Sequence, residues 1–89
     1  MDLSDVVKLV EMDEELLFDG CFNEKVIRAD LSMRREKRNF YIEAFNKFLD
    51  NHRTISTSIE VRLQDASLAE RSKKCQNEAS RLLDIVYEY

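Results

Sequence analysis

The chain is expected to be all-α: a short N-terminal helix and a long antiparallel helical hairpin, forming a three-helix or coiled-coil-like bundle. Three observations lead there. Its 89 residues include no proline and one glycine, so the tight turns of a sheet protein have almost no residues to make them. Apolar residues recur at i, i+3, i+4 and i+7, the spacing of one helical face. Charged residues make up 36% of the chain beside plentiful aliphatics, which suits folded amphipathic helices better than disorder. A chain of this length buries only about 60–65% of its unfolded surface, so one domain over 1–89 is marginal alone and gains from a partner.

Helix A is expected over about 3–19. Asp2 or Ser4 can cap it, Leu3, Val6, Val7 and Val10 share one face, and Leu17 lies a heptad further on. Gly20 suits the left-handed position just past a helix end. The last stretch, EMDEELLFDG (11–20), sets five carboxylates around Leu16, Leu17 and Phe18. Acids near a C-terminus oppose the helix dipole, so this segment should fray unless it docks. The expected cover for Leu16, Leu17 and Phe18 is the basic turn of the next helix, with a groove on another protein as the alternative.

Helix B is expected over about 24–50. Asn23 can cap it, and Phe22 with Ile27 has the spacing of a hydrophobic staple. Its apolar face is interrupted by Arg34, Arg35, Glu36, Lys37, Arg38 and Asn39, a run read as a solvated stretch of one continuous helix. DNHRTIST (50–57) then serves as the connection, and Thr57 with Glu60 forms a T-x-x-E capping box. Helix C is expected over about 58–88. Val61, Leu68, Cys75, Leu82 and Tyr89 recur every seven residues; Asp65, Ser72, Ala79 and Val86 follow four after the first four of these. Such heptads favour helix pairing, with Asp65 weakening the first repeat. A short link between two helices of this length implies an antiparallel hairpin.

Little in the chain carries chemistry. His52 is the one histidine, and neither Cys21 nor Cys75 stands at zinc-ligand spacing from it or from the other. Cys75 lies on the heptad stripe as a small buried hydrophobe, and Cys21 follows an acidic stretch, a poor setting for a nucleophile. The acids of 11–19 lack the alternation of a calcium loop and read as a solvated face. No catalytic residue, metal, cofactor or small-molecule substrate is therefore expected. No apolar run approaches the ~20 residues of a membrane span. An acidic start unlike a signal peptide and two cysteines suggest a reducing, cytoplasmic setting.

Charge is unevenly placed. Residues 1–20 carry seven acids and one base, residues 21–50 five acids and seven bases, and 51–89 six of each. Arg34, Arg35, Lys37 and Arg38 could contact an anion, which supports an alternative reading as a small nucleic-acid-binding regulator. A pI near 5.0 argues against it, since nucleic-acid binders usually carry a domain-wide basic stripe.

The leading expectation is a non-enzymatic helical interaction module, a small subunit or cochaperone packing against a partner helix or a second copy. Its expected interface is Val61, Leu68, Cys75, Ala79, Leu82, Leu83, Val86, Tyr87 and Tyr89, where apolar side chains outnumber what one side of a hairpin can cover. The tail NEASRLLDIVYEY (77–89) resembles the last helix of the small cochaperones that hold needle subunits in type III secretion. That resemblance covers one generic helical stretch, and no motif in the chain identifies a family.

Overall fold

The computed structural model describes residues 2–20 and 22–89, and every regular element among them is helical. Cys21, weighed above as a nucleophile, lies outside the described residues. The elements are α1 (Leu3–Glu14), a π-helical turn (Glu15–Asp19), α2 (Glu24–Met33), a 3₁₀ turn (Arg35–Lys37), α3 (Arg38–Thr57), α4 (Ile59–Gln64) and α5 (Ala66–Tyr87).

They form three legs of an elongated bundle measuring 44 × 19 × 17 Å. The hairpin of α3 and α5 is antiparallel: Arg35 meets Tyr89 at one end, and His52 meets Ser72 further along. The first leg runs parallel to α5, because Glu14 pairs with Arg71, Glu24 with Arg81 and Arg28 with Glu88 in increasing order. So α1 and α2 lie end to end on the hairpin and together act as its third helix.

Asp2 caps α1 by accepting the Asp5 N–H at 2.9 Å. Over Glu15–Asp19 the chain widens to a π turn, and the Phe22 N–H reaches back to the Leu16 carbonyl at 3.2 Å. Gly20 is extended, with φ −111° and ψ −152°, not left-handed as expected. Its need for glycine is steric, since an added Cβ would lie 2.9 Å from the Glu15 carbonyl oxygen and 3.1 Å from Leu16 Cα. Asn23 caps α2, accepting the Val26 N–H at 3.0 Å.

The single helix expected over 24–50 is two helices. At Arg34 the backbone leaves the helical region (φ −136°, ψ 77°), and residues 34–37 reverse the chain. The run of polar residues offers nothing to bury, so staying helical gains only local hydrogen bonds, about 1 kcal/mol each net. Turning back lets Ile27 and Leu31 pack in one cluster with Tyr41 and Phe45, at about 1.5–3 kcal/mol per buried side chain. Burial wins. Asp30 holds the turn closed, taking Arg34 Nε at 3.0 Å and the Tyr41 hydroxyl at 2.7 Å. The Tyr41 bond first, then Arg34, keeps the Asp30 carboxyl below its ordinary range.

The expected connection 50–57 is also helical, because Phe45, Phe48, His52 and Ile55 continue one buried face of α3. Thr57 does not cap; its hydroxyl donates to the Arg53 carbonyl at 2.7 Å. Ser58 caps the short α4. Asp65 caps α5, accepting the Leu68 N–H at 2.9 Å, so the polar residue expected to weaken a heptad in fact starts the helix.

Candidate functional site

Each leg carries one polar residue on its buried face. Asp13 stands between Val10 and Leu17, His52 between Leu49 and Ile55, and Ser72 between Leu68 and Cys75, at the three- and four-residue spacings of a core stripe. The bundle brings the three together. His52 Nε2 lies 2.5 Å from Asp13 Oδ2, and Nδ1 lies 2.9 Å from Ser72 Oγ, which is also 3.3 Å from the His52 carbonyl oxygen. Asp13 is 5% exposed, His52 and Ser72 not at all. Burying these groups unpaired would cost several kcal/mol, and their mutual bonds offset that.

An Asp–His–Ser chain invites comparison with a hydrolytic triad. In that device the serine bonds Nε2, the carboxylate bonds Nδ1, and the hydroxyl faces substrate. Here the ring nitrogens are exchanged and the hydroxyl is sealed. The cluster works as a structural layer separating two cores. One gathers Leu17, Ile27, Leu31, Tyr41, Phe45, Leu82 and Val86, with Phe22 packed against it; the other gathers Val6, Val10, Ile55 and Leu68. Sequence reading missed the layer because Asp13 was taken as one of a solvated acidic face and His52 was weighed only as a ligand, while Ser72 was placed on the helix C stripe by itself. The available signal was that all three occupy apolar stripe positions.

The acidic stretch is correspondingly docked within the chain, though not on the basic turn. Glu14 accepts hydrogen bonds from Arg71 Nε at 3.0 Å and Nη2 at 2.6 Å, and this pairing holds its carboxyl below the ordinary range. Leu17 is buried and Leu16 packs against the larger core, whereas Phe18 remains half exposed. The reading of 11–19 as a solvated face therefore fails at Asp13 and Glu14.

The residues expected to meet a partner lie mostly inside the molecule. Leu68, Cys75, Ala79, Leu82, Leu83 and Val86 are buried by the chain's own helices, Val61 and Tyr89 are half-buried, and Tyr87 alone of the nine is largely exposed. Burial pushes the Cys75 thiol up to about 12, with Glu14 and Asp13 adding to the shift. The four basic residues are partly engaged as well. Arg34 pairs with Asp30, and Arg35 donates to the Tyr89 carbonyl at 3.1 and 2.6 Å. Lys37 sits 5.1 Å over the Phe40 ring, and Arg38 lies 5.5 Å over Tyr87 with its Nε buried and unpaired among the described residues.

What stays open is the groove between the first leg and α3. It consists of two hollows of about 270 Å³ each, one over Met12, Phe22, Ala44 and Phe48, the other over Leu3, Ile55, Ser58 and Val61. Leu9 and Asn51 line both, so the hollows adjoin. On α2, Val26 and Met33 are exposed apolar residues outside both hollows. Among the described residues, no group of His, Cys, Asp and Glu is placed to hold a metal, and no helix is long and apolar enough to cross a membrane. No family model, curated protein or solved structure matches the chain.

Proposed function

We propose that the chain is a non-enzymatic helical interaction module that receives a partner helix along the groove between α1 and α3. The observation that carries this reading is the adjacency of the two hollows, which share Leu9 and Asn51 in their lining. On α3 the lining runs from Ala44 to Ile55, eleven steps along the helix, or about 16–17 Å at 1.5 Å per residue. Three turns of an amphipathic helix fit that length, and a fourth helix would complete a four-helix arrangement. Ala44 and Asn51 on the α3 wall are small enough to permit close approach, and the exposed Met12 adapts its shape to an incoming surface. The heptad positions of α5 already serve the internal core, which moves the docking surface from helix C to this groove.

Affinity capture from the native host, repeated with Met12→Glu/Ala44→Glu, tests the reading. A partner held by the wild-type chain and lost from the variant, at unchanged melting temperature, is the expected result. A partner set indifferent to the variant would sink it.

A further inference from the structure

We infer, building on the docking of a partner helix in the α1–α3 groove, that this helix carries one carboxamide at the centre of its apolar seam, paired with Asn51. Ala44, Phe48, Asn51 and Ile55 follow one another on α3 at intervals of four, three and four residues, the spacing of a helix-pairing seam. Ala44 and Phe48 line one hollow, Ile55 lines the other, and Asn51 lines both. The one polar member of the seam therefore stands where the hollows adjoin. Its amide is half-buried and has no hydrogen-bond partner among the described residues. Leu9, the residue of α1 that also lines both hollows, offers it none.

A helix laid over this junction takes water away from Asn51. A wholly apolar helix would leave the amide's donors and acceptor unmet, and buried polar groups without partners oppose binding. A charged side chain in that place would bring a larger desolvation cost of its own. An Asn or Gln answers donor with acceptor and acceptor with donor, the device by which one seam asparagine fixes register in paired helices. Rim charge does not make this selection. Lys47 on one hollow and Glu60 on the other are exposed and opposite in sign, so the rim favours neither a strongly acidic nor a strongly basic partner.

The probe is a displayed library of amphipathic helices about 20 residues long, enough to be partly helical alone, with leucine seams and one randomised central seam position. It is selected against the full wild-type chain and against Asn51→Leu. Wild type should enrich Asn or Gln at the centre, and exchanging that residue for Leu should weaken binding about 10-fold, as for one stranded amide. Asn51→Leu should invert the preference and Asn51→Ala should abolish it, both with unchanged helical circular dichroism. Peptides released by Met12→Glu/Ala44→Glu, yet with the same central residue on wild type and Asn51→Leu, overturn the inference and leave helix docking in the groove intact. Absence of any peptide sensitive to Met12→Glu/Ala44→Glu removes helix docking there, and the paired amide with it. A second copy seated in the groove, seen in sedimentation as a dimer that Met12→Glu/Ala44→Glu dissolves, overturns the inference as well.

Discussion

The two cores of this bundle are built from different material. At one end Phe45 stacks on Tyr41 (6.2 Å, 16°) and meets Phe22 edge-on at 5.6 Å, with α2, α3 and α5 all contributing. At the other, Val6, Val10, Ile55 and Leu68 form a small aliphatic cluster bordered by half-exposed neighbours. Aromatic side chains bury large areas and gain further from edge and offset contacts. The aromatic end should therefore hold most of the stability, and the aliphatic end should open first. The exposed apolar residues of α4 lie at that weaker end, where added cover would help most.

Equivalent truncations in the two cores are the sharpest test. Leu82→Ala, in the aromatic core, should cost about 4 kcal/mol; Leu68→Ala should cost nearer about 2, because a smaller cluster collapses more readily around the lost volume. Denaturant unfolding measures both, and equal losses would erase the distinction between the ends.

The layer between them comes next. Asp13→Ala leaves the His52 ring nitrogen buried without its acceptor and should cost about 3 kcal/mol. Replacing all three members together (Asp13→Leu, His52→Leu, Ser72→Ala) should cost less than the single change, since no polar group is then stranded. A triple variant worse than Asp13→Ala would mean that the layer contributes net stability and not only separation.

Gly20→Ala should cost about 1–3 kcal/mol by forcing its Cβ into the Glu15 and Leu16 backbone. The loss should appear as faster hydrogen exchange over the π turn before it spreads to α1. Exchange unchanged across 15–19 would place the effect elsewhere.

The Glu14–Arg71 pair gives a smaller, pH-dependent term. A carboxyl held below its ordinary 4.5 contributes stability above that pH and loses it as pH falls through the lower folded value. Both side chains are partly exposed, 29% and 39%, so the term is at most about 1 kcal/mol. Arg71→Gln should flatten this part of the acid limb; an identical acid profile in the variant would remove the pair from the account. Finally, Cys75 in a Cys21→Ser background should resist a thiol reagent at pH 8 until the protein unfolds, given its raised pKa and complete burial. Rapid labelling of native protein would show that the aromatic core opens readily.

Particular residues show where sequence reading succeeded and where it failed. The caps at Asp2 and Asn23 were legible because a cap bonds a backbone N–H two or three residues away. The positions from Leu68 to Val86 were legible as one stripe because helical periodicity is local. Gly20 was recognised as special for the wrong reason, since left-handed geometry is the commoner cause and a close backbone approach leaves no trace in composition. The break at Arg34 and the continuity through His52 were both misread, as helix propensity alone does not say which polar run will yield to packing.

By itself the sequence determined that the chain would be helical, because propensity, caps and turn residues act over a few positions. It also determined which faces of those helices were apolar. Only the tertiary structure decided that α1 and α2 form one leg and that Asp13, His52 and Ser72 meet. Tertiary structure also decided that the heptads of α5 are covered within the chain while α4 and the α1–α3 groove remain open. Those outcomes depend on which stripes compete for the same cover, a free energy summed over residues far apart in the chain, and no local pattern encodes the winner.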